Sequence, residues 1–167
     1  MIEQPIRRRA ARVILLDAAG RVLLLAARDP GDGRVVWFAP GGGVEAGETL
    51  EQAAARELAE EVPAAAGLPL AGPVWTRRHE EFYWNRQRID QTEWYFVTRL
   101  RRPLAAGGVG PAPGDEGSYF VEARWLSVAE LRAMIAAGDI VAPRRLPELL
   151  PPLIAGELPA EPIDAGV

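Results

Sequence analysis

The chain contains no cysteine and no lysine, and its one histidine is His79. Without thiols there can be no disulfide, no thiolate nucleophile and no cysteine-ligated metal. A single histidine likewise rules out a multi-histidine zinc site within one chain. All 19 basic residues are arginines, which reads as compositional bias in an Ala-, Arg- and Gly-rich sequence and carries no chemistry of its own. Long apolar runs are missing too: no segment approaches the roughly 18 apolar residues that span a bilayer. Met1 to Arg12 is charged where a secretory signal would be apolar, so a cytoplasmic protein with no membrane partner is the expectation. A net charge of −4 and a pI near 5.2 give no support to nucleic-acid binding.

What is present is enough for one domain with a real core: 167 residues, 49% of them hydrophobic. Val13 to Leu16 and Val22 to Ala26 are apolar β-type runs joined by the turn Asp17 to Gly20, and together they predict a hairpin. Arg7 to Arg12 ahead of them is a charged lead-in to the strand or an anion site. Val35 to Phe38 predicts a short strand feeding Pro40 and three glycines. Val74 to Tyr83 and Ile89 to Leu100 predict a second hairpin around Trp84 to Arg88, in which aromatic residues alternate with Arg77, Arg78, Arg86 and Arg88. That interleaving suits cross-strand packing, or one or two rings stacked on a nucleobase. Arg101 to Ser118 has loop composition, and a loop of that length inside a small domain is often functional. A last strand over 119–126 leads to Ser127 and Glu130, a capping box that opens a helix running to Gly138. The core is expected over about 8–137, with a proline-rich tail after about 142 holding at most one short helix around Glu148 to Leu150.

Residues 41–64 carry the functional information. A glycine-rich turn, Gly41 to Gly43, precedes a helix whose start is marked by Thr49 and Gln52, a second capping box. Leu50, Ala54, Leu58 and Val62 form an apolar stripe, and Pro63 ends the helix. At roughly 100° per residue, Glu57, Glu60 and Glu61 share one face at the edge of that stripe. Three like charges in a partly buried place repel one another and lose hydration, a situation that a cation relieves. A solvated acidic face is the plainer alternative, and the adjoining stripe and glycine turn weigh against it.

Gly42, Glu48, Arg56, Glu57, Leu58, Glu60 and Glu61 stand at the spacing of the Nudix hydrolase signature, which this stretch resembles; Pro63 takes the place of its usual glycine. The resemblance implies an α/β (α+β) Nudix fold, a mixed β-sheet sandwiched between helices, forming a single domain. It further implies a pyrophosphohydrolase that cleaves a diphosphate linkage in a small nucleoside diphosphate derivative, using Mg2+ or Mn2+. As metal ligands it implies Glu57, Glu60 and Glu61 with a backbone carbonyl of Gly41 or Gly42, and as catalytic base Glu57 or a loop carboxylate, Glu116 first and Glu122 in reserve. Glu116 near the metal would then serve as a further ligand. Arg56 and Glu48 would orient the cluster. The resemblance leaves open a homodimer and a nucleotide-binding module that does not cleave. An isoprenoid diphosphate isomerase of the same fold would, by the same resemblance, need a cysteine that this chain lacks.

Overall fold

A computed structural model describes residues 4–104, 109–110 and 119–166, with the backbone alone at 79–81. Its spine is a parallel pair. Strand β1 (Ile6–Asp17) lies along β6 (Gln87–Leu100) over its whole length, from Ile6 opposite Ile89 to Asp17 opposite Leu100. The basic run Arg7 to Arg12 is therefore part of the strand rather than a lead-in to it. Strand β5 (Ala71–Trp84) pairs antiparallel with β6 through a turn of only two residues, Asn85 and Arg86. Both lie in the left-handed region (φ 50° and 63°), the backbone a two-residue hairpin requires.

Strand β2 (Val22–Arg28) meets β1 at one pair, Leu16 with Val22, and then diverges. Beyond that point it runs between β3 (Val35–Phe38) and β7 (Phe120–Leu126), and β8 (Ile140–Ala142) extends the sheet parallel to β3. The divergence leaves the edge of β1 at residues 10–12 open. Into that opening comes β4 (Gly41–Gly43), antiparallel to β1, with Ala10 opposite Gly43 and Arg12 opposite Gly41. The expected glycine turn is thus an extended strand, held in place by the edge that β2 vacates.

Helices cover both faces, so β1 and β2 are apolar without alternation. Ala11, Val13, Leu15, Leu23 and Leu25 pack with Ala54, Leu58 and Val62 on the side of α1 (Leu50–Glu61). Ile14, Leu16, Val22 and Leu24 pack on the opposite side with α2 (Val128–Ala136) and α3 (Leu146–Ile154). This is the expected mixed sheet between helices. The apolar core does not stop near residue 137, however. Leu146, Leu150 and Leu153 of α3 are buried in it, β9 (Ile163–Asp164) pairs parallel with β5, and Ala165 is fully enclosed. Among the described residues no helix is long and apolar enough to cross a membrane.

Candidate functional site

Both capping boxes form as the sequence predicts. The Thr49 hydroxyl accepts the Gln52 N–H at 3.1 Å while the Gln52 side chain accepts the Thr49 N–H at 2.9 Å, which fixes the start of α1. The stripe turns inward, with Ala54, Leu58 and Val62 buried and Leu50 partly so. Pro63 ends the helix by opening a 3-10 turn over Pro63–Ala65, where its missing N–H costs nothing. The Glu61 carbonyl released at the helix end accepts the N–H of Gly110 at 2.9 Å.

Strand β4 is clamped between β1 and α1. Val13 N–H bonds the Pro40 carbonyl and Val44 N–H the Arg9 carbonyl, so by antiparallel alternation Gly42 turns its peptide groups to β1. Gly41 and Gly43 turn theirs outward, toward α1. The Gly41 N–H donates to Glu61 Oε2 at 3.1 Å, and Arg56 donates to the Gly43 carbonyl at 3.0 Å. Glycine is required for space at Gly41, and at Gly42 it leaves room for the Glu57 carboxylate, which a side chain would displace. A methyl group on Gly42 would lie 2.5 Å from Glu57 Oε1, and one on Gly41 would overlap the Ala11 carbonyl.

Arg56 organises the acidic face. It donates twice to Glu48, at 2.9 Å each, and once to Glu57 at 2.9 Å, and it lies 3.6 Å from Glu60. These bonds, those to Glu48 foremost, hold its charge firmly, and the same contact lowers the Glu48 pKa. The Glu57 pKa moves the other way: burial raises it, and the opposing pull of Arg56 does not restore it. Glu61 is partly buried on the Gly41 N–H, whereas the Glu60 side chain is 57% exposed. Among the described residues no three carboxylates converge into a ready-made cation cage. Oxygen donors of this kind, two of them partly desolvated beside an outward Gly41 carbonyl, still fit magnesium in type. That ion usually takes one or two carboxylates and completes its shell with substrate phosphate and water.

The two loop candidates fare differently. Glu116 lies outside the described residues. Glu122 is ion-paired to Arg124 at 2.8 Å on β7, where it alternates with Ala123 and Trp125, the residues that pack toward α1. The reserve base therefore lies on the sheet face turned away from the helix carboxylates, for the simple reason of strand alternation.

A buried polar network went unread in the sequence. Glu93, whose side chain is 3% exposed, accepts from Arg12 Nε (2.8 Å), Arg77 (2.8 Å), Gln91 (2.9 Å) and the Tyr95 hydroxyl (2.8 Å). Burial alone would raise its pKa, but Arg12 and Arg77 overcome that and hold it at about 2. Arg77, one of the interleaved arginines, is thereby committed to an internal ion pair. The available signal was a charged residue in mid-strand, Glu93 between Thr92 and Trp94, whose neighbours call for a buried counterion.

Comparison with known proteins agrees with the fold. A family model described as NUDIX domain matches residues 6–147. An RNA pyrophosphohydrolase of Teredinibacter turnerae is 32% identical over 149 residues, 84% of this chain and 83% of that protein. An isopentenyl-diphosphate Delta-isomerase of Nocardia farcinica is 35% identical, covering 77% of this chain and 69% of that protein. A Mycobacterium tuberculosis protein carrying the mutator name MutT4 is 31% identical over 73% of this chain, which spans only 44% of that relative's length. Among solved structures, a C. elegans Ap4A hydrolase complex superposes with a TM-score of 0.61 at 23% identity, covering 89% of this chain and 98% of that one. The E. coli dihydroneopterin triphosphate pyrophosphohydrolase gives 0.60 at 24%, covering 88% and 98%. At these identities the two structures speak for the fold.

Proposed function

The chain belongs to the NUDIX domain family, and from that premise we propose that it hydrolyses a diphosphate linkage in a small nucleotide-type substrate with the help of Mg2+ or Mn2+. The observation that carries the reading is the pair Glu57 and Glu61, two partly buried carboxylates set against the outward edge of a glycine strand. Glu57, Glu61 and the Gly41 carbonyl would hold the cation, with exposed Glu60 closing on it from the helix. Gly42, whose carbonyl is spent on β1, serves by its lack of a side chain. The bound cation supplies a Lewis acid that acidifies water and screens charge gathering on the leaving phosphate.

The chain's own residues do the rest. Arg56 holds Glu57 and Glu48 in register and so positions the acidic face. Glu57, held by Arg56 and lying against Gly42, is placed to take a proton from the attacking water in its carboxylate form. Glu116 remains the alternative base from the loop.

The test is turnover on a panel of nucleoside triphosphates, nucleotide sugars, dinucleoside polyphosphates and RNA with a 5′-triphosphate end, with and without Mg2+ or Mn2+. Metal-dependent release of a phosphate product from at least one of them is expected, and Glu60→Gln or Glu61→Gln should lower kcat by about 10² or more while the far-UV spectrum stays unchanged. Tight nucleotide binding without product would favour a binding module instead. Conversion of isopentenyl diphosphate would favour the isomerase named among the relatives, against which the absence of cysteine counts.

A further inference from the structure

Arg12 belongs to two places at once. Its side chain is 12% exposed and reaches from β1 around the end of β4. There one terminal nitrogen, Nη1, donates to the carbonyls of Ala39 (3.2 Å) and Gly41 (3.3 Å), while Nε is fixed on Glu93. The Phe38 ring lies 4.9 Å beneath the guanidinium. Glu93 is itself held by three further donors, so Arg12 rests on a carboxylate whose position does not depend on any one of them. Arg12 joins the buried sheet to the Gly41 carbonyl, one of the two outward carbonyls of β4.

We propose that Arg12, anchored by Glu93, is a positioning residue that fixes the Ala39–Gly41 backbone so that the Gly41 carbonyl and N–H face α1 together. The inference rests on the metal-dependent reading of the site. A guanidinium suits the task because its rigid plane holds Nε on the carboxylate and Nη1 on the two carbonyls at once, whereas an ammonium offers a single nitrogen on a flexible stem. Glu93 is equally necessary. Its negative charge, shared between Arg12 and Arg77, offsets part of the Arg12 charge and so weakens the repulsion between that fixed cation and an incoming ion.

Mn2+ binding to the whole chain, followed by electron paramagnetic resonance without substrate, tests this directly. Arg12→Lys keeps the charge and loses the fork; Glu93→Gln keeps the shape and loses the counter-charge. Both should weaken Mn2+ binding about tenfold or more, the usual effect of removing a partner of a metal ligand. In turnover they should lower kcat and raise the Mn2+ requirement, leaving the substrate KM at saturating Mn2+ unchanged. Tyr95→Phe removes a bond to Glu93 remote from Gly41 and should keep Mn2+ affinity within about twofold of the parent. If Glu93→Gln does not fold, Arg12→Lys decides alone. Unchanged or tighter Mn2+ binding in Arg12→Lys overturns the proposal, as does an equal loss in Tyr95→Phe. A parent chain that binds Mn2+ and cleaves nothing sinks the hydrolase reading while the variant comparison still decides the role of Arg12; a parent that does not bind Mn2+ overturns both.

Discussion

Two glutamates show how environment divides one side-chain type into two roles. Glu93 is buried, yet two arginines hold its pKa at about 2, so it is an anion at every working pH. Glu57 is partly buried beside Gly42, and although Arg56 and Arg12 favour its charge, burial keeps its pKa raised above the ordinary 4.5. A raised carboxyl pKa means that the fold prefers the neutral form. Its contribution to stability is fully present below pH 4.5 and is lost as pH rises through the folded value. In the absence of divalent ions, Glu57→Gln should therefore melt at a higher temperature than the parent at pH 7.5, with the gap closing toward pH 4.5. Added Mg2+ should raise the parent's Tm more than the variant's, since a ligand stabilises only the state that binds it. Thermal melts of the two proteins at both pH values, with and without Mg2+, check this. A gap independent of pH would show that burial does not govern Glu57.

At the level of elements, local signals were legible and non-local ones were not. The start of α1 follows from Thr49 and Gln52, four residues of contiguous sequence, and the structure places it there. Its exit depends on Gly110, which supplies the N–H for the Glu61 carbonyl from nearly fifty residues away. Three glycines carry no side-chain pattern and so suggest a turn; what makes them a strand is the edge of β1 left bare when β2 diverges after Leu16. The Arg12 to Glu93 contact spans 81 residues and depends on a parallel register that no spacing in the sequence announces. Pro63, a departure from the family signature, turns out to be a suitable first residue of a 3-10 turn. Pro63→Gly should accordingly leave kcat unchanged and lower stability by about 1 kcal/mol, because glycine widens the unfolded ensemble at a site where proline already fits. Chemical denaturation beside steady-state kinetics measures both, and a loss of activity without a loss of stability would assign Pro63 a part in the site.

The molecule as a whole extends further than its family match. The match ends at residue 147, two residues into α3, but the packing continues through Leu150, Leu153 and Ala165. The prolines made this segment read as a tail. Pro147 sits in the first helical turn, where no donor is needed, while Pro151 and Pro152 inside α3 remove two internal N–H donors. A helix so depleted is held by burial rather than by its own ladder. Its apolar residues Leu146, Leu149, Leu150 and Leu153 belong to the same core cluster as Ile14, Leu16 and Trp75, on the side of the sheet away from α1. Arg99 adds a tether from β6, donating to the Leu153 and Ile154 carbonyls at the helix end. If this packing is what closes that face, truncating one of its side chains must behave as a core mutation. Leu150 is 1% exposed, so Leu150→Ala should cost about 3 kcal/mol, lowering Tm by roughly 6–12 °C in a chain of this size. A surface appendage would answer differently, with a change within about 0.5 kcal/mol. Urea unfolding of the two proteins separates these outcomes, and a near-zero difference would return α3 to the status of a tail.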